Sequence, residues 1–123
     1  MIEAQRVDFL LVPVQDRDRA EQFYSEVLGL QRSPESGERW VEYETGNLTL
    51  ALMEPEAFGG EFRKSGTAVA LRVDDVAARR EELEAKGVTF FGDTIDSGVC
   101  FQAFFADPDG NPLILHHRYA PLD

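Results

Sequence analysis

The stretch FFADPDGNPLILHH, Phe104 to His117, joins two apolar runs through a segment built to turn, and it ends on adjacent histidines. An Asp-Gly pair between apolar runs is a strong hairpin signal, because such turns need positive backbone φ angles. In that setting Asp107 and Asp109 read as acceptors of backbone N–H groups rather than as catalytic acids. VCFQAFFA before the turn and PLILHH after it are then paired strands. The reading that matters is whether the histidines help to hold a metal ion, or whether these strands only wall a pocket.

Working outward, the same plan occurs twice. Val7 to Val14 (VDFLLVPV) is apolar and branched, as a strand would be. Asp16 is a candidate N-cap, Ala20, Phe23, Tyr24, Val27 and Leu28 follow at helical spacing, and Gly29 suits the helix exit. RWVEYETGNLTLALME then reads as a hairpin. In the second half Thr67 to Val73 is a strand, Asp75 a cap, and VAARREELEAKGV a helix leaving at Gly87. Val14-Gln15-Asp16 matches Val73-Asp74-Asp75, Gly29 matches Gly87, and Gly46-Asn47 matches Gly110-Asn111. A period of about sixty residues is long for a solenoid. It predicts an α+β fold of two tandem βαβββ modules, over about 5–55 and 66–118, within one domain spanning 1–123. The linker, about 56–65, carries Gly59-Gly60 and reads as a mobile flap.

Composition narrows the function classes. The net charge of −11, from 23 acidic and 12 basic residues, argues against nucleic acid, whose phosphates need Lys and Arg. It suits a cationic small molecule, or simply keeps the surface well solvated. No apolar run approaches the roughly 18 residues that read as a membrane span, and MIEAQRVDF lacks the plan of a signal peptide. The single cysteine, Cys100, has no internal disulfide partner, so the cytoplasm is the expected compartment. Without a visible Cys-His motif it reads as a buried or neutral thiol.

Together, VPVQDRDRAEQFYSEVLGL and FFADPDGNPL resemble the vicinal oxygen chelate superfamily, which includes glyoxalase I, extradiol dioxygenases and bleomycin resistance proteins. The resemblance covers nearly the whole chain. It implies paired modules whose mixed sheets curl into a cup with helices outside, often as a homodimer. It does not imply one activity. Metal-dependent members place a ligand on the first and last strand of each module. The matching positions here are Phe9, Ala68, Leu50 and Ile114. None has an N, O or S donor in its side chain, so the resemblance implies a member without the usual metal and with no cofactor.

Side chains two apart on a strand share a face. Phe9 therefore brings Leu11 into the cup, Ala68 brings Ala70 and Arg72, and Ile114 brings His116. Aligning the glycine turns adds Glu38, Trp40 and Glu42 from one module and Cys100, Gln102 and Phe104 from the other. Val41, Tyr43, Phe101, Ala103 and Phe105 are expected beneath the helices. The predicted ligand-binding set is Phe9, Leu11, Glu38, Trp40, Glu42, Leu50, Ala68, Gln102, Phe104, Ile114 and His116. Glu38 and Glu42 beside an indole suit a cation by charge and cation–π attraction; a solvated rim carboxylate, or one paired with Arg72, is the plainer reading for Glu38 and an equal one for Glu42. His116 is the candidate general base, against a strand-end histidine bonded to backbone. His117 should point the other way, exposed or at an interface. The expected function is stoichiometric binding of an aromatic or cationic compound, as in drug-sequestering resistance proteins. The alternative is a lyase, isomerase or dioxygenase-like enzyme rebuilt around His116, Glu42 and Gln102. A third reading is an interaction module with a vestigial cup.

Overall fold

The structure, a computed structural model, describes residues 1–34 and 37–122. The chain divides into two compact units, Met1–Lys64 and Ser65–Asp123.

Unit one runs β1 (Phe9–Pro13), α1 (Arg17–Gln22), β2 (Gln31–Arg32), β3 (Trp40–Glu44) and β4 (Thr49–Met53). Its sheet has the order β1-β4-β3-β2, with β1 parallel to β4 and the other pairs antiparallel. The expected helix forms for the expected reason. The Asp16 carboxylate accepts from the N–H groups of Asp18 and Arg19, two of the donors that a helix start leaves unpaired. The helix then widens into a π-type turn over Phe23–Val27, and the chain leaves through Gly29 at φ +74°. Ala20, Phe23 and Tyr24 pack under it with Val41, Tyr43 and Leu52. The Tyr43 hydroxyl lies 2.7 Å from Ser25 Oγ and donates to the Glu21 carbonyl, tying β3 to the helix. Burial pushes the Tyr43 hydroxyl pKa up, partly offset by the Ser25 hydrogen bond.

Unit two repeats the plan with β5 (Val69–Arg72), α2 (Val76–Ala85), β6 (Phe90–Asp96), β7 (Cys100–Ala106) and β8 (Pro112–Arg118), in the order β5-β8-β7-β6. The Asp75 carboxylate caps α2 by accepting from Ala78 N–H. Two matched hydrogen bonds define the repeat: Val14 N–H to the Met53 carbonyl, and Val73 N–H to the His116 carbonyl, each 2.9 Å. Phe90, Ala103, Phe105, Leu113 and Leu115 are buried with Val76 and Leu83 of α2. Arg80 lies over the Phe90 ring at 4.8 Å.

The DPDGN turn is a closed hydrogen-bond cage. Asp107 Oδ1 accepts from the N–H groups of Asp109 and Asn111, and Oδ2 accepts from Asn111 Nδ2. Asn111 Oδ1 in turn accepts from Ser65 N–H at 2.7 Å, anchoring the start of the unit to its last turn. Between the units' sheets in sequence, Pro55–Phe58 forms a 3-10 turn that closes at Gly59 and Gly60, where the linker was expected.

Two expectations about packing are corrected. Phe101 shares its face with Ala103 and Phe105 but is 37% exposed, with its ring 4.8 Å from that of Tyr119. His117, expected to be exposed or at an interface, is not exposed but half-buried, with Nδ1 3.1 Å from the Val73 carbonyl.

Candidate functional site

Strand register decides which side chains share a face, because directly paired residues do so and alternate residues do not. In unit one, Phe9 pairs with Thr49, Leu11 with Ala51, Glu42 with Ala51, and Trp40 with Met53. These residues lie opposite the helix-covered face. Phe9 and Leu11 are 45% and 48% exposed there, and Trp40 and Glu42 are half-buried. The Phe9 and Trp40 rings meet edge to face at 5.7 Å. This open face carries the Phe9 and Trp40 rings with the Glu42 carboxylate beside them, and Glu44, paired with Thr49, at its far end.

Two expected members do not join it. Leu50 pairs with Leu10 and Tyr43 on the helix-covered face and is 1% exposed. The cause is turn length. Residues 45–48 separate the paired Glu44 and Thr49, whereas 107–111 separate Ala106 and Pro112, and the glycine sits differently in each. Counting forward from Gly46 therefore stops one residue short, and the counterpart of Ile114 is Ala51. Glu38 lies before β3 in a turn closed by Gly37 N–H to the Trp40 carbonyl. It is exposed there, and strand parity does not reach it.

In unit two, Ala70 pairs with Ile114, which pairs with Phe104; Arg72 pairs with His116, which pairs with Gln102. The open face thus has one apolar row beside one polar row. Ala68 lies just before β5 and is exposed. Cys100 is buried opposite Arg118. Glu42 belongs to unit one, while Gln102 and His116 are cross-strand neighbours in unit two.

The positions that the resemblance assigns to metal ligands do not fit a metal ion. They carry Phe9, Ala68, Ile114 and, by the corrected register, Ala51, all without side-chain donors. Among the described residues no group of three or more His, Cys, Asp or Glu side chains is gathered to hold one. His116 and His117 point to opposite faces of β8.

Sequence reasoning missed a small polar cleft of about 130 Å³ in unit one, lined by Val14, Gln15, Arg39, Glu54, Glu56, Ala57 and Phe62. Glu54 organises it, accepting from Arg17 N–H at 2.8 Å and pairing with Arg39 at 3.7 Å. None of the expected site residues lines it. Its volume is below the roughly 300 Å³ at which ligand pockets begin. Among the described residues no helix is long and apolar enough to cross a membrane.

Comparison with known proteins adds four findings. The sequence profile of the Glyoxalase/Bleomycin resistance protein/Dioxygenase superfamily matches residues 6–115. A lactoylglutathione lyase of Haemophilus influenzae is 32% identical over 112 residues, covering 81% of this chain and 83% of that protein. The crystal structure of TnmS3, an antibiotic binding protein from Streptomyces sp. CB03234, superposes with a TM-score of 0.79 at 27% identity, over 96% of this chain and 99% of that one. A glyoxalase/bleomycin resistance protein from the same Streptomyces gives 0.73 at 28% identity, over 90% and 99%.

Proposed function

The chain belongs to the Glyoxalase/Bleomycin resistance protein/Dioxygenase superfamily, and on that premise we propose that it is a metal-free small-molecule binding protein. The observation that carries this reading is the open face of unit one. Phe9 and Leu11 stand exposed there, Trp40 abuts Phe9, and Glu42 is on the same face. Exposed aromatic rings beside a carboxylate suit a planar compound that carries positive charge, by stacking, cation–π attraction and ion pairing. The net charge of −11 favours the approach of such a compound. The antibiotic-binding relative supports binding without turnover as the mode of action. In this reading the protein works in the cytoplasm as a homodimer, with no nucleic-acid or membrane partner.

Equilibrium dialysis with ethidium, a planar aromatic cation, tests the proposal. Saturable uptake is expected, weakened about tenfold in Glu42→Gln and more in Trp40→Leu, by the loss of an ion pair and of a stacking surface. Uptake that ignores both substitutions would refute this assignment of the face.

The lyase relative favours a second reading, an enzyme working by proton transfer at His116 with Gln102 beside it. It predicts conversion of lactoylglutathione or a related thioester that is lost in His116→Ala and kept in His117→Ala. Equal activity in both variants would rule His116 out as the base.

A further inference from the structure

On the open face of unit two, β5, β8 and β7 place Arg72, His116 and Gln102 in one cross-strand row. Among the described residues, none of these three side chains makes an ion pair or a hydrogen bond. That is unusual company for an arginine in a chain with 23 acidic residues. Arg17, Arg32, Arg39, Arg79 and Arg80 each hold a carboxylate. Arg72 is exposed and, among the described residues, holds none.

The chemistry of the row is specific. A guanidinium offers a fork of N–H donors that matches a carboxylate, and an amide and an imidazole can each add a donor. Neighbouring strands are about 4.8 Å apart, so the row spans roughly 10 Å with His116 at its centre. The long Arg72 side chain can therefore reach an anion seated over the histidine. The adjoining row, two residues along each strand, is Ala70, Ile114 and Phe104. It lies about 7 Å away, the scale of one aromatic ring with its carboxylate.

We propose that Arg72, His116 and Gln102 form a carboxylate-binding subsite, with the apolar body of the same ligand lying over Ala70, Ile114 and Phe104. The ligand class is a small aromatic or branched carboxylic acid. This site stands apart from the reading on Trp40 and selects the opposite charge.

The test uses the full chain with benzoate as probe, followed by NMR at the Arg72 Nε–H and the Gln102 side-chain amide. Both signals shift together and saturate. Arg72→Gln weakens benzoate at least about tenfold, as the loss of charge-assisted hydrogen bonds requires. Arg72→Lys recovers only part of the affinity, since a point charge lacks the fork. Inorganic phosphate, run in parallel, binds more weakly because the apolar row gives it nothing. Unchanged benzoate affinity in Arg72→Gln, or shifts confined to other residues, overturns the proposal. Phosphate binding as tightly as benzoate overturns its apolar half. Because every readout lies in unit two, failure here leaves the Trp40 reading standing.

Discussion

Phe9 and Trp40 touch across an intervening strand. Phe9 on β1 pairs with Thr49, Trp40 on β3 pairs with Met53, and β4 lies between them, yet their ring centroids are 5.7 Å apart. Ideal strand spacings put their backbones roughly 16 Å apart along the diagonal. The rings meet on the face that carries Ala51, the residue midway along β4, which is fully buried. A small side chain at Ala51 leaves room between the two rings on that face.

Ala51→Leu should part the rings. Overpacking of this kind costs about 1–3 kcal/mol, read from denaturant unfolding, and the single tryptophan should emit further to the red. Phe9→Ala should cost less, on the order of 1 kcal/mol, because the ring is half exposed. An Ala51→Leu protein with native stability and emission would contradict this packing.

Tyr119 and Asp96 give a pH signature. The Tyr119 hydroxyl donates to Asp96 Oδ1 at 2.7 Å, and Gly98 N–H donates to the same oxygen. The Tyr119 bond, then the Gly98 bond, hold the Asp96 carboxyl below the usual carboxylate range; the Asp96 bond pushes the Tyr119 hydroxyl up. The Asp96 contribution is present above the ordinary carboxylate pKa and is lost as pH falls through its lowered value. The Tyr119 contribution is present below the ordinary phenol pKa and is lost as pH rises through its raised value. Tyr119→Phe keeps the Phe101 stack and should flatten both limbs of the pH–stability curve. Limbs identical to the wild type would show that the bond does not persist in solution.

Asn111→Ala should be among the more damaging polar substitutions. It strips Asp107 Oδ2 of its side-chain donor and Ser65 N–H of its acceptor in a buried turn. Losing both hydrogen bonds costs roughly 2–3 kcal/mol. Thermal unfolding measures it, and a loss under about 0.5 kcal/mol, the surface norm, would mean that water replaces the amide.

Metal content provides a separate check on the side chains at the ligand positions. Untagged protein, purified without chelating resin and incubated with zinc, iron, manganese or nickel, should hold far less than one ion per chain by elemental mass spectrometry. One tightly bound ion would place a metal site outside Phe9, Ala51, Ala68 and Ile114.

The fold was legible because its signals are local. Asp16 and Asp75 cap helices through their own carboxylates, and Gly29 and Gly87 leave them with positive φ. Strand parity likewise put Phe9, Leu11, Trp40 and Glu42 on one face, and Gln102, Phe104, Ile114 and His116 on another. Parity failed where it had to cross a turn, as at Leu50, or start before the strand did, as at Glu38. Phe101 and His117 show a second limit. Alternation names a face, but it does not say how far the helix covers it or which carbonyl lies in reach. The Glu54 cleft had no sequence signal, since residues from distant segments line it.

The most direct measurement is the emission of the single tryptophan during titration with a panel of planar aromatic compounds, cationic and neutral, on protein shown to be folded by circular dichroism. Binding against Phe9 and Trp40 predicts saturable quenching by at least one planar cation, stronger than by its neutral analogue and weakened in Glu42→Gln. A folded protein whose Trp40 emission no member of the panel changes would contradict the account.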